Sequence, residues 1–140
     1  MVTLSEVTDI ADVEQRLEKV KQVGVPNYFG SQRFGNDGNN LEEARRWGRE
    51  NVRTRNQNKR SMYLSAARSW IFNRIVSARL ENGVFDKFID GDIAQTNSGT
   101  QLIDANNITD LQVQFAQGEV AITAALAGDN ALLLKPRLWH

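Results

Sequence analysis

Seven cations stand within sixteen positions of this chain, Arg45, Arg46, Arg49, Arg53, Arg55, Lys59 and Arg60, and inside that run only Glu50 is negative. An ordinary solvated face interleaves both signs. A run rich in arginine suits phosphate, because the planar guanidinium forks an oxyanion through two N–H groups and also stacks on bases; plain soluble surface is the competing reading. Just upstream, Gly24-Val25-Pro26-Asn27-Tyr28-Phe29-Gly30-Ser31-Gln32-Arg33-Phe34-Gly35 combines turn residues, aromatics, amides and a cation in one short loop. Its three glycines and one proline impose an irregular backbone. Tyr28, Phe29 and Phe34 offer flat faces, and Asn27, Gln32 and Arg33 offer donors. Nucleic acid, a planar and anionic partner, fits such a loop; the alternative is a loop whose aromatics plug it onto a core.

Other chemistries lack their residues. The 140-residue sequence has no cysteine, and its one histidine is the terminal His140. That leaves no thiolate nucleophile, no histidine acid-base centre and none of the common zinc ligand sets. Asp86, Asp90 and Asp92 invite a cation reading but lack the further oxygen ligands of a calcium loop, so a structural turn is expected and no metal. No carboxylate pair resembles a sugar-hydrolysing site. No apolar run is long enough for a membrane span or a secretory leader, and a cytoplasmic setting is the default. Formal net charge is zero, yet residues 14–80 hold 14 Lys and Arg against 6 Asp and Glu, while residues 81–140 hold 3 against 8. A basic middle between acidic ends suits one face meeting a polyanion.

The elements that position these residues are legible in outline. Ile10, Val13, Leu17 and Val20 recur at helical spacing, predicting a helix over 9–23 that Gly24 and Pro26 end. Residues 1–7 alternate weakly in a strand-like way. Asn40 with Glu43 reads as a capping box for a helix over 41–50 with Arg45, Arg46 and Arg49 on its exposed face. A basic connector leads to a long helix over 61–82, with Leu64, Ala67, Ile71, Ile75 and Ala78 as its buried stripe. Lys59 and Arg60 open that helix, where the macrodipole disfavours cations unless an anion sits there; a frayed, solvated end is the alternative. Arg68 and Asn73, polar beside the stripe, are expected to hydrogen-bond loop backbone. Strands over 85–94 and 101–104 join through Asn97-Ser98-Gly99, and a helix covers 107–117. The three tryptophans read as core or rim anchors. The fold class expected is α+β, mostly helical with a small antiparallel sheet.

The loop also matches, at every fixed position, the Asn-Tyr-Phe-Gly-x-Gln-Arg-Phe-Gly signature of the TruD family of tRNA pseudouridine synthases. Similar segments follow in order: Asn58-Lys59-Arg60-Ser61, Leu64-Ser65-Ala66-Ala67-Arg68-Ser69 with Phe72-Asn73, Asp90-Gly91-Asp92 and Ile122-Thr123-Ala124-Ala125-Leu126. The chain resembles this family from its first residues to about Gly128. Two departures stand beside the match. The family's catalytic aspartate lies in a Gly-x-Lys-Asp motif upstream of the loop, and no such motif occurs between Met1 and Gly24. Leu132-Leu133-Leu134-Lys135-Pro136 and Leu138-Trp139 resemble the strand that returns to the catalytic domain, here after only Gly128-Asp129-Asn130, where the family has a longer helical stretch.

What the resemblance implies is an inner piece of an isomerase that converts uridine at position thirteen of tRNA to pseudouridine without a cofactor. Residues 1–35 would resemble the end of the catalytic domain, 36–128 the inserted domain of this branch, and 129–140 the return strand. Asn27, Tyr28, Phe29, Gln32, Arg33 and Phe34 become active-site cleft residues by this likeness, and the run from Arg45 to Arg60 becomes a contact for the tRNA backbone. No catalytic residue is carried over, and the chain alone is expected to be inactive. A non-catalytic RNA-binding module, or a remnant or engineered truncation, are the alternatives. With part of the cleft missing, the aromatic loop is expected to be mobile or buried against a second copy.

Overall fold

A computed structural model of the chain describes residue 3 and residues 5–51 and 55–123. The weakly alternating start falls partly outside these residues, and 5–9 form no strand. Helix α1, Ile10–Val23, is capped by the Asp9 side chain, which accepts from the Asp12 N–H at 3.0 Å, and ends where Gly24 takes φ +77°. Its apolar stripe forms as spaced but buries nothing: Ile10 is 68% exposed and Leu17 51%. The loop follows, with two 3₁₀ turns at Ser31–Phe34 and Asn36–Gly38.

Helix α2 runs Asn39–Glu50. The expected capping box is absent, because left-handed Gly38 takes the N-cap position without any side-chain cap. Asn40 lies inside the helix with its side chain against Gly35, while Glu43 pairs with Arg46 at 3.0 Å. Helix α3, Gln57–Glu81, starts four residues earlier than its apolar spacing suggests. The cause is Asn56, whose side chain accepts from the Lys59 N–H at 3.1 Å and fixes the first turn.

The buried residues of α3 are Tyr63, Ala66, Ser69, Val76 and Arg79, not the expected stripe. Ala67, Ile71, Ile75 and Ala78 are half-buried, and Leu64 is 48% exposed. At 100° per residue the two sets lie on roughly opposite sides of the helix. The covered side is the one that meets α2, through Trp47 edge-on to Tyr63 at 5.6 Å, and the loop. Sequence spacing finds apolar residues, whereas the contacts with α2 and the loop decide which side is covered.

Beyond α3 the chain forms a small unit. Strands β1, Ile93–Thr96, and β2, Gly99–Leu102, make the expected hairpin, with Thr96 opposite Gly99 and Ile93 opposite Leu102. Helix α4, Ile108–Ala116, leads to β3, Ala121–Thr123, which pairs antiparallel on the other side of β1, giving the order β2-β1-β3. Phe88, Ala94, Ile103, Leu111 and Val120 form its core, and Phe115 meets Phe88 edge-on at 5.8 Å. The fold class is the expected one, mostly helical α+β with a three-stranded antiparallel sheet.

The first strand is shorter than expected, since 85–92 folds as turns. Gly91 at φ +94° bends the backbone, and Asp92 turns inward to Arg79, accepting from Nη1 at 2.7 and 2.9 Å and from the Ile89 N–H at 3.0 Å. Arg79 also donates to the Lys87 carbonyl. The Asp-Gly-Asp run is thus a structural turn that ties the end of α3 to the small unit. The return-strand segment from Leu132 to Trp139 lies outside the described residues.

Candidate nucleic-acid interface

The aromatic loop is seated on α3 of its own chain. The Asn73 carboxamide accepts from the Phe29 N–H and donates to the Phe29 carbonyl, both at 2.9 Å, as a neighbouring strand would. The Phe72 ring meets Phe29 at 5.3 Å and 75°, edge to face. One turn further on, Ser77 Oγ lies 3.1 Å from the Tyr28 hydroxyl. Two turns before Asn73, Ser65 Oγ accepts from Arg33 Nη1 at 3.2 Å. From Ser65 to Ser77 these anchors span about 18 Å of helix. Phe29 and Phe34 are half-buried and Tyr28 is 41% exposed, so two of the loop's three rings are partly covered within the chain itself.

Of the two polar residues expected to hold loop backbone, Asn73 does so. Arg68 is exposed and its side chain makes no hydrogen bond or ion pair among the described residues. Ser65 and Ser77 were not singled out by type, and only their spacing in helical turns from Asn73 marks them. Gly35, at φ +83°, closes the loop, and a Cβ there would stand 2.8 Å from Asn40 Cγ.

The seat shapes a planar, cationic surface. The Arg33 guanidinium lies over the Phe29 ring, 5.2 Å from its centroid. Beside this pair a cavity of about 660 Å³ opens between the loop and the first turns of α3, lined by Phe29, Gln32, Arg33, Asn40, Ser61 and Ser65 among others. Its described lining carries a cation and no carboxylate. A second cavity, about 830 Å³, holds Gln32, Phe34 and Asp37. The Asp37 charge makes the second a poorer place for phosphate. Gln32 lines both cavities, and exposed Asn27 lines neither.

The basic run divides in two. Arg45 pairs with Glu42 and lies 5.3 Å over the Trp70 ring, and Arg46 is held by Glu43. Arg49, Arg55, Lys59 and Arg60 are exposed and their side chains have no hydrogen bond or ion pair among the described residues. Arg53 lies outside those residues. Lys59 and Arg60 stand on the first turn of α3, directly before Ser61, which lines the cationic cavity. Ser61 and Ser65 of α3 thus line the cavity that Arg33 and Phe29 wall, and Lys59 and Arg60 precede them on the same helix.

Comparison with known proteins gives the class of this chain. The family described as tRNA pseudouridine synthase D (TruD) matches residues 39–135. The chain belongs to that family. It is 92% identical over 132 residues to the tRNA pseudouridine synthase D of Vibrio campbellii, covering 94% of this chain and 38% of that protein. The Vibrio parahaemolyticus protein of the same description is 86% identical over 132 residues, covering 94% of this chain and 38% of that protein, and a Vibrio cholerae one is 65% identical over 133 residues, covering 94% of this chain and 36% of that protein. The chain thus spans little more than a third of the length of the relatives it matches.

Proposed function

We propose that this chain holds tRNA for a uridine-to-pseudouridine isomerisation whose catalytic aspartate lies in a part of the longer family protein that the chain does not span. The observation that carries the reading is a set of exposed cations, Arg49, Arg55, Lys59 and Arg60, without counter-charges among the described residues, in a chain whose cavity on the same helix α3 is walled by Arg33 and Phe29 and has no carboxylate in its described lining. Unpaired cations gain most from phosphate, since they give up no internal ion pair and release counterions from the RNA. A ring topped by a guanidinium gives a base a stacking platform. In this division of labour Arg49 to Arg60 hold the backbone, and Tyr28, Phe29 and Arg33 face an unstacked base, with Asn27, Gln32 and Phe34 at the cleft margins. Breaking the glycosidic bond of an extruded uridine needs a carboxylate that the described cavity lining does not include, so binding without turnover is the expected behaviour of the chain alone.

The domain division follows the same reading: residues 1–35 and 129–140 go with the catalytic part and 36–128 with the inserted domain. It is supported by α1 burying none of its residues while α2 packs on α3. The setting that suits a tRNA-modifying protein is cytoplasmic, and among the described residues no helix is long and apolar enough to cross a membrane. Self-association through the loop would use its exposed apolar side chains, Val25 at 59% and Tyr28 at 41%.

Titration of the chain with unmodified tRNA in a salt series tests the proposal. Binding that weakens linearly in log salt, with no pseudouridine formed, is expected. Absence of binding at 50 mM salt, or salt-independent binding, would remove the basic run from the contacts, and turnover by the chain alone would overturn the division of labour.

A further inference from the structure

The clamp between Asn73 and Phe29 is more than a loop anchor. A half-buried carboxamide that satisfies both backbone groups of one residue fixes that residue's plane as well as its place, because losing either bond strands a polar group in a part-buried site. The residue so fixed carries the ring that Arg33 covers and that walls the cationic cavity. The neighbouring Phe72 ring, 5.3 Å away and nearly perpendicular, packs on the same Phe29 ring. All three constraints therefore bear on one variable, the angle at which the Phe29 face and its guanidinium meet a ligand. Tyr28, by contrast, is held only through the end of its side chain by Ser77, and its backbone has no such clamp.

We infer that Asn73 is a positioning residue for RNA: without touching the ligand, it sets the Phe29–Arg33 platform against which an unstacked base lies. This rests on the tRNA-binding reading above. A residue acting through another has a signature that loss of structure lacks. Its removal changes affinity at constant salt slope, since the phosphate contacts on Arg49 to Arg60 stay, and its effect disappears once the residue it positions is gone.

The test is a double-variant cycle on the 140-residue chain, with Asn73→Ser, Phe29→Ala and both together, titrated with unmodified tRNA at several salt concentrations. Asn73→Asp serves as a second probe, because a carboxylate still accepts from the Phe29 N–H but repels the Phe29 carbonyl. Each single variant is expected to weaken binding by about tenfold with an unchanged salt slope, and the double variant to be no weaker than Phe29→Ala alone. Amide exchange at Phe29 should speed up in Asn73→Ser while the exchange of α4 amides stays as in the parent. Additive losses, or a parent-like affinity with the Phe29 amide released, would overturn the inference while leaving the tRNA reading intact. A parent chain that fails to bind tRNA would bring down the reading itself and this use of the platform, and the exchange data would still decide whether Asn73 holds Phe29.

Discussion

Arg79 and Asp92 carry more of the fold than their separation of 13 positions suggests. Both are buried, and Arg79 Nε has no hydrogen-bond partner among the described residues, so the pair already bears one unsatisfied donor. Asp92→Ala would leave the guanidinium charge buried and free the Ile89 N–H, and is expected to destabilise the chain by about 3–5 kcal/mol. Urea unfolding measures it; a loss below about 1 kcal/mol would mean that water reaches Arg79. Gly35 tests a different constraint. Gly35→Ala meets both an unfavourable φ of +83° and the Asn40 side chain at 2.8 Å, a penalty of about 1–3 kcal/mol. Adding Asn40→Ala should recover the steric part and leave the backbone part.

These residues show what could be read from the sequence and what could not. The aromatic loop declared itself by composition, and Asn73 by being polar beside an apolar stripe. Asp92 looked like a turn residue or a weak metal candidate, since no local pattern reveals a partner 13 positions away. The buried side of α3 is not legible either, because α2 and the loop cover it: Ser69 and Arg79 are buried, while the apolar Ile71 and Ile75 are only half-covered.

At the scale of elements, each helix came through with its type and near its bounds, because spacing and caps are local. Asp9 and Asn56 cap α1 and α3 through their side chains, and Asn56→Ala is expected to cost about 1 kcal/mol and fray the turn that carries Lys59 and Arg60. Where a cap failed, at Asn40, tertiary contact with Gly35 had claimed the side chain. The basic face can be tested by its own division. Arg49→Gln and Arg60→Gln should each lower the slope of log affinity against log salt by up to about 0.9, whereas Arg46→Gln, whose charge is already met by Glu43 at 3.0 Å, should change it less. Equal changes at all three positions would mean that the Glu43 pair opens on binding.

Across the whole molecule, the charge segregation of the sequence follows the order of the elements. Lys59 and Arg60 stand on the first turn of α3, Arg49 and Arg55 precede it in the chain, and the exposed Asp86, Asp110 and Glu119 belong to the unit that follows its end; the helix is 25 residues, about 37 Å long. A polyanion is drawn to one end and repelled from the other. The most direct measurement is residue-resolved: amide chemical shifts of the labelled chain during titration with unmodified tRNA at low salt. Shifts at Phe29, Arg33, Arg49, Lys59 and Arg60, with Gln101, Asp110 and Glu119 unmoved, are the expected result. Shifts centred on the sheet and α4, or none at tRNA concentrations that saturate binding, would contradict a tRNA-holding face at the start of α3.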